Sequence, residues 1–134
     1  MGLLKKVAVT FVVLVGLLWT TSGCKTNDNK KPYRLSEDSL IFNTIHQSDS
    51  FKKTIYCINN SDNEIKIVKI ATGCGCTSTI LKDSIVKTND SVPIYIKYLP
   101  LINKDSGLVT KYITIRTNSN PVFTNIKIKG EVIK

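Results

Sequence analysis

Three stretches in the second half of the chain alternate between apolar and polar residues with a period of two. In SVPIYIKY (residues 91–98) every second residue from Val92 to Tyr98 is apolar, and Lys97 lies on the opposite face. TKYITIRT (110–117) and TNIKIKGEV (124–132) repeat the pattern with isoleucines opposite polar residues. Period two predicts half-buried β-strands. No window of a dozen residues shows the 3.6-residue period of a helix.

Turn-forming residues separate these stretches. NNSDNE (59–64), KTND (87–90), NKDSG (103–107) and TNSNP (117–121) are rich in Asn, Asp, Ser and Gly, which favour turns through local hydrogen bonds or positive φ. The pattern then predicts seven strands, at residues 39–43, 51–58, 65–72, 76–81, 91–98, 109–117 and 122–133. Seven short strands with turns about every ten residues favour an all-β, Ig-like antiparallel β-sandwich, with a small barrel as the alternative.

The first 23 residues have the pattern of a cleaved export signal. Lys5 and Lys6 precede an apolar run from Val7 to Trp19, and small residues follow as far as Gly23. This order is typical of a secretory signal peptide. The apolar run is also shorter than the roughly 20 residues that a transmembrane helix needs.

Cys24 stands at the predicted cleavage point, and TSGC resembles the lipobox of bacterial lipoproteins. That resemblance implies that the Cys24 thiol carries fatty acyl chains such as palmitate, and two or more chains anchor a protein stably to a membrane. Lys25, rather than Asp, follows the cysteine. Under the sorting rule of enteric bacteria, this favours an outer-membrane lipoprotein that faces the periplasm.

Residues 24–34 combine the lipidated cysteine with KTNDNKKPYR, which is polar and without periodicity, and this predicts a flexible tether. The whole chain has a formal charge of +9. Without Lys5, Lys6 and the tether's net +3, the predicted domain at 35–134 carries only +4. A charge so small and dispersed gives no support for nucleic-acid binding.

The segment NNSDNEIKIVKIATGCGCT (59–77) resembles the pattern of the DUF1573 family. SVPIYIKYLP and the ending SGLVTKYITIRTNSNP…IKIKGEV resemble later elements of the same family, so that the resemblance covers roughly residues 38–133. The matching positions are Asn59, Ile65, Ile67, Ile70, Cys74, Gly75, Cys76, Thr77, Gly107, Lys111, Asn118 and Gly130. The resemblance implies a secreted or lipid-anchored protein, abundant in Bacteroidetes, with an Ig-like fold of the ASH/MSP-like group and no established activity.

Three thiols remain if Cys24 carries lipid, and export places them where disulfides form. Residues i and i+2 of a strand are roughly 6.5 Å apart at Cα, so a Cys74–Cys76 bond requires Gly75 to bend the chain sharply. Such a bond would suit a redox role. Cys57 shares a face with Ile55 and either bonds to the Cys74/Cys76 corner, closing a loop of about 18 residues, or is simply a small buried apolar residue.

Metal binding is a third alternative for the cysteines. Cys74 and Cys76, with or without Cys57, could hold Cu(I) or zinc. A complete four-ligand zinc site would need all three thiols and His46, the only histidine. Our first prediction is therefore that no cofactor is bound, and a metal site is the alternative.

Catalytic signals are absent from the sequence. His46 lies in a segment typical of an exposed turn, and no G-x-S-x-G, H-E-x-x-H or paired-carboxylate motif is present. The sequence thus predicts a non-enzymatic envelope module that binds or scaffolds a protein partner, with strand addition at a sheet edge as one route. The alternative function is a thiol-based metal-binding or redox protein that uses Cys-Gly-Cys.

Overall fold

A computed structural model describes residues 31–134, which form ten β-strands and one short helix. The predicted signal peptide and Cys24 lie outside the described residues. The elements are β1 Tyr33–Leu35, β2 Ser39–Ile41, β3 Ile45–His46, β4 Phe51–Asn59, β5 Ile65–Thr72, β6 Thr77–Leu81, β7 Ile85–Val86, β8 Ser91–Tyr98, α1 Pro100–Asn103, β9 Gly107–Thr117 and β10 Phe123–Ile133.

The strands form two sheets that pack face to face. The first sheet has the order β1-β4-β8-β6, and the second has the order β2-β10-β9-β5-β7, with β3 also paired to β10. This confirms the predicted Ig-like sandwich, and each of the seven predicted strands is present within two residues of its predicted bounds. The pairing is antiparallel except that β2 and β3 lie parallel to β10.

The core consists of the inward stripes that the period-two pattern predicts. In β8 the burial alternates strictly, with Val92, Ile94, Ile96 and Tyr98 buried. The same inward face in the other strands contributes Leu40, Ile55, Cys57, Ile65, Ile67, Ile113, Ile115, Ile126, Ile128 and Val132. Each fully buried aliphatic side chain contributes about 1.5–3 kcal/mol, so these stripes dominate the stability of the sandwich.

The domain begins earlier than predicted. Tyr33 and Arg34, predicted as the end of the tether at 24–34, pair with β4 as part of β1. Tyr33 is only 2% exposed, and its hydroxyl donates a hydrogen bond to the Pro121 carbonyl oxygen at 2.7 Å. The prediction placed the first domain residue at 35, the last residue of β1, because the short segment YRL shows no clear period of two.

Asn59 ends β4 and organises the turn that follows it. The side chain is buried, its Nδ2 donates to the carbonyl oxygens of Asn63 (2.8 Å) and Val86 (3.0 Å), and its Oδ1 accepts from the Ser61 N–H at 2.9 Å. One asparagine therefore closes the β4–β5 turn and fastens β7 across the end of the sandwich.

Residues 31–134 contain no helix long and apolar enough to cross a membrane.

Candidate functional site

The segment Gly73–Cys76 is a turn that carries the chain from the second sheet into the first. The turn is held by backbone hydrogen bonds from Gly73 N–H to the Tyr112 carbonyl (3.1 Å), from Thr77 N–H to the Cys74 carbonyl (3.3 Å), and from Leu99 N–H to the Cys76 carbonyl (2.8 Å). Cys76 was predicted as the first residue of a strand, but β6 starts at Thr77. The cysteines therefore do not lie in extended backbone.

A disulfide joins Cys74 to Cys76, with the two Cα atoms 5.2 Å apart. This separation lies within the ordinary range for disulfides. In an extended strand the two Cα atoms would be roughly 6.5 Å apart, which is an obstacle to the bond. The turn around Gly75 removes that obstacle.

The two bonded cysteines differ in their exposure. Cys74 is half-buried and lines a cleft of about 330 Å³ together with Gly73, Asn103, Thr110, Lys111 and Tyr112. Cys76 is buried in the core, with 1% exposure. A Cβ at Gly75 would meet no atom of residues 31–134 within 4 Å, so no other part of the described domain covers the turn there. A reagent from solvent therefore reaches the disulfide from the Cys74 side.

Thr77 lies beneath both sulfur atoms. Its Oγ1 is 3.8 Å from Cys74 Sγ and 3.9 Å from Cys76 Sγ, and its side chain is buried. The hydroxyl is the polar group hydrogen-bonded to the disulfide among the described residues. A hydroxyl in this place can donate a hydrogen bond to either sulfur if the disulfide opens.

Cys57 is a free thiol with 0% exposure, in the interior of the first sheet. Burial raises the pKa of the Cys57 thiol from 9.0 to about 11. The structure thus pairs Cys74 with Cys76 and does not form the alternative bond from Cys57 to the corner. Cys57 occupies the place of a small apolar core residue.

His46 does not join the cysteines. It ends β3 and is exposed, and its N–H donates to Asp49 Oδ2 at 3.0 Å in a local turn. Within residues 31–134, no three or more His, Cys, Asp or Glu side chains are grouped to hold a metal ion. The structure does not bring together the four ligands that a complete zinc site would need.

An ionic network that the sequence analysis missed lies next to the corner. Lys111 Nζ lies 2.9 Å from Asp105 Oδ1 and donates to it, and the Tyr98 hydroxyl donates to Asp105 Oδ2 at 2.6 Å. Lys111 lies two residues before Ile113 and so has the same inward parity in β9, and its side chain is mostly buried. That parity is the signal that could have revealed the pair.

The network changes the acidity of its members. Burial raises the pKa of the Asp105 carboxyl, but the hydrogen bonds from Tyr98 and Lys111 and the lysine's charge outweigh it and lower the pKa below 3.8. Burial, followed by the hydrogen bond to Asp105 and its charge, raises the pKa of Tyr98 above its ordinary range. Asp105 is therefore a carboxylate at neutral pH that clamps β8 to β9.

Two strands that meet at the corner have an unpaired side, and we call them the open edge: residues 68–72 of β5 and Thr77–Leu81 of β6. β7 pairs with β5 only at Ile65 and Lys66, and the Ile67 N–H donates to the Ser84 carbonyl oxygen at 2.8 Å. Within residues 31–134, no strand pairs with the rest of β5 on that side. β6 is the last strand of the first sheet. The exposed apolar side chains of this edge are Val68 and Ile80.

The family model "Protein of unknown function (DUF1573)" matches residues 33–132. The chain belongs to the DUF1573 family. The match starts at the first residue of β1 and ends one residue before the end of β10, so it covers the sandwich that the structure shows. The resemblance found in the sequence is thus confirmed. No curated protein is significantly similar to this chain.

Solved structures similar to this DUF1573 domain support the same fold. A protein of unknown function from Porphyromonas gingivalis W83 aligns with a TM-score of 0.67 and 16% identity over 75% of this chain and 46% of that protein. This chain thus spans less than half of its length. The seventh ASH/PapD-like domain of human CEP192 aligns at 0.60 and 9%, over 78% of this chain and 87% of that one.

The MSP family member WR4 from Caenorhabditis elegans aligns with the DUF1573 domain at a TM-score of 0.50 and 9% identity, over 77% of this chain and 99% of that protein. At such identities the similarity establishes the fold alone. The domain is therefore an Ig-like sandwich of the ASH/MSP type, and its function has to be argued from its own residues.

Proposed function

We propose that this protein is a lipid-anchored module of the bacterial cell envelope that binds an extended segment of a partner protein at β6. The observation that carries the proposal is the unpaired side of β6, which begins directly at the disulfide-closed corner. An extended peptide that adds a strand to such an edge gains main-chain hydrogen bonds.

The register identifies the groups that would bind the partner. Leu99 N–H donates to the Cys76 carbonyl, and Ser78 and Ile80 stand opposite Lys97 and Tyr95. Since bonded and non-bonded pairs alternate in an antiparallel ladder, Ser78 and Ile80 bond to β8. The N–H and C=O groups of Thr79 and Leu81 therefore point away from the sheet toward a partner strand.

The side chains beside this edge indicate the chemistry of the partner. Ile80 is 63% exposed and packs beside Tyr95, and the ammonium of Lys82 lies 5.6 Å from the Tyr95 ring centre. Ile80 and Tyr95 line a cleft of about 370 Å³ on the outer face of the first sheet, and Lys52 and Lys97 line it too. A strand with an apolar side chain opposite Ile80 and an acidic side chain near the lysines would complement this surface.

Anchoring at Cys24 would hold the domain close to the membrane. β1 starts at Tyr33, so only residues 25–32 separate the cysteine from the fold, and eight residues span at most about 29 Å. Labelling with radioactive palmitate tests the anchor: the label is expected on the native protein and not on Cys24→Ala. Label that persists on Cys24→Ala would refute lipidation at this site.

Site-specific photo-crosslinking tests the binding edge. A benzophenone amino acid at Ile80 is expected to form an adduct with a partner in intact envelopes, whereas the same group at Leu108, which is 89% exposed on β9, is not. Thr79→Pro removes an outward N–H and is expected to abolish the adduct. A peptide from the crosslinked segment should then slow amide exchange at Thr79 and Leu81.

The other outcomes distinguish competing modes of binding. An adduct at Ile80 that Thr79→Pro leaves unchanged, with no protection of the Thr79 and Leu81 amides, would mean side-chain contact without strand addition and would overturn the proposed mode. An adduct between two copies of this chain would replace the partner protein with edge-to-edge dimerisation.

A further inference from the structure

The Cys74–Cys76 disulfide combines features that the proposed partner binding does not use. It joins a half-buried sulfur at the wall of a cleft to a fully buried one, and a buried hydroxyl lies beneath both. We propose that this disulfide is a thiol–disulfide exchange site that oxidises accessible dithiols of envelope proteins.

Access determines which sulfur is attacked. Exchange requires the incoming thiolate to reach a disulfide sulfur. Cys74 lines the open cleft, and Gly75 presents no side chain that would cover it. Cys76 is 1% exposed. Attack therefore occurs at Cys74 Sγ, and Cys76 is the leaving sulfur.

The reaction is a balanced two-electron exchange. One thiolate of the substrate dithiol bonds to Cys74 Sγ while the Cys74–Cys76 bond breaks, and Cys76 leaves as a thiolate that then takes up a proton. The second substrate thiol loses its proton and attacks the substrate sulfur of the mixed disulfide, which releases Cys74. The substrate is oxidised to a disulfide, and Cys74 and Cys76 are reduced to two thiols.

Thr77 assists the departure of Cys76. Its Oγ1 lies 3.9 Å from Cys76 Sγ, close enough to donate a hydrogen bond to the sulfur as negative charge develops there. A leaving thiol departs faster when its thiolate is better stabilised. Thr77 does not touch the substrate, so it is a positioning residue and not a catalytic one.

The third thiol does not compete with this pair. Cys57 is fully buried, and thiols in apolar surroundings are inert in exchange. The substrate is a dithiol because its own second thiol must resolve the mixed disulfide. The cleft beside Cys74 is lined by neutral groups from Asn103, Thr110 and Tyr112, with the Lys111 ammonium neutralised by Asp105, which suits a peptide dithiol without strong charge.

Dithiothreitol is the probe for the reaction on the folded chain. The native protein is incubated with dithiothreitol in the absence of denaturant, quenched with iodoacetamide and mapped by mass spectrometry. Cys74 and Cys76 are expected to be alkylated while Cys57 stays unmodified, so that Cys57 reports that the fold is intact. Labelling of all three cysteines at the same rate, or of none until denaturant is added, would make the disulfide purely structural and overturn the proposal.

Two single variants test the direction of attack. With oxidised glutathione, Cys76→Ser is expected to form a mixed disulfide at Cys74, and Cys74→Ser is expected to react at least roughly tenfold more slowly because Cys76 is inaccessible. Equal rates, with Cys57 unmodified in both variants, would overturn the assignment of Cys74 as the attacked sulfur.

Thr77→Val tests the hydroxyl, with Thr117→Val as the matched control at another buried threonine, whose hydroxyl donates to the carbonyl oxygens of Ser119 and Pro121. Thr77→Val is expected to slow reduction by dithiothreitol by roughly three- to tenfold, as expected for the loss of a typical hydrogen bond, and Thr117→Val should leave the rate unchanged. Restoration of the rate in Thr77→Ser would support hydrogen bonding rather than packing. An unchanged rate in Thr77→Val would overturn the role of Thr77.

Discussion

Gly130 in β10 provides the space that the Phe42 ring occupies. A Cβ built on Gly130 would lie inside the van der Waals envelope of that ring, and the ring is held in place by Phe51 and Tyr98, with centroids 5.2 and 5.7 Å away. Gly130→Ala is therefore expected to lower the free energy of unfolding by about 1–3 kcal/mol, the usual cost of overpacking. Chemical denaturation measures the change.

Gly75→Ala is the matched control for Gly130→Ala. A Cβ at Gly75 has no atom within 4 Å, so this variant should change the stability by less than about 0.5 kcal/mol, as is usual for surface substitutions. Equal losses in the two variants would show that the Phe42 ring is not what restricts position 130 to glycine.

The Cys57 thiol makes the free energy of unfolding depend on pH in the alkaline range. Burial raises its pKa from 9.0 to about 11, so the folded state retains the thiol proton longer than the unfolded chain does. This stabilisation is complete below pH 9.0 and is lost as the pH rises toward 11, by on the order of 2 kcal/mol. Denaturation curves of the native protein and Cys57→Ala across this range measure the difference.

The two proteins share the titration of Tyr98, so the difference between their curves isolates Cys57. Cys57→Ala is expected to be less stable than the native protein at neutral pH, because a small cavity replaces the sulfur. Its disadvantage should shrink above pH 9.0. A constant difference over the whole range would contradict the raised pKa.

At the residue scale, the sequence pattern predicts which side chains of a long strand are buried. It does not predict the geometry of corners. It placed the inward stripe of β8 correctly because eight residues show the period clearly. It made the Cys74–Cys76 bond depend on a sharp bend at Gly75 because it extended a strand to Cys76, whereas Gly73–Cys76 is a turn. Turn geometry depends on tertiary hydrogen bonds, such as that from Leu99 to Cys76, which the local sequence does not encode.

Asp105 joins two elements, since it accepts from Tyr98 at the end of β8 and from Lys111 in β9. The lowered pKa of its carboxyl stabilises the fold above pH 3.8, and this stabilisation is lost as the pH falls through the folded-state value. Asp105→Asn is expected to cost about 1–3 kcal/mol at neutral pH, because Lys111 loses its partner. Thermal unfolding measured from neutral to acidic pH checks both effects.

Asp83→Asn is the control for Asp105→Asn, since the Asp83 carboxylate makes only an exposed local bond to the Ile85 N–H at 2.9 Å. It should change the stability little, and its acid sensitivity should match that of the native protein. If Asp105→Asn retained the native loss of stability in acid, carboxylates other than Asp105 would be responsible for it.

The two sides of β6 should respond differently to proline. Ser78 bonds to β8, whereas the Thr79 N–H points outward, as the register requires. Ser78→Pro removes a ladder hydrogen bond to β8 and leaves its acceptor unpaired, which is expected to lower the free energy of unfolding by about 1–3 kcal/mol. Thr79→Pro removes no bond within the domain and should cost clearly less. Urea denaturation of both variants measures the two losses of stability. Equal losses would contradict the outward orientation of the Thr79 N–H.

Among the elements, length decided which strands could be predicted. The seven predicted strands include every strand of five or more residues. Of the four strands with two or three residues, β2 was predicted, and β1, β3 and β7 were not. Segments this short show no clear period, and these three strands form because neighbouring strands offer free edges. Val86 is fully buried in β7, although its segment has no pattern of its own.

For the whole molecule, the proposed export and the fold are compatible. Export would permit the disulfide at the corner, and the sandwich presents that corner beside the open edge of β5 and β6. The lipid anchor was predicted from residues before the sandwich, and the sandwich from the residues after them. The predicted boundary at residue 35 falls on the last residue of β1, which pairs with β4 in the first sheet.

Truncation tests where the folding unit begins. A chain of residues 31–134 is expected to fold, because it contains Tyr33 and its hydrogen bonds to Pro121 and Thr124. A chain of residues 36–134 loses β1, which covers Cys57 through its partner Leu35. The buried Tyr33 side chain alone contributes about 1.5–3 kcal/mol, so the shorter chain should be less stable by at least that amount, and its Cys57 should react faster with iodoacetamide. Equal stability and equal Cys57 reactivity in the two chains would return the start of the domain to residue 35.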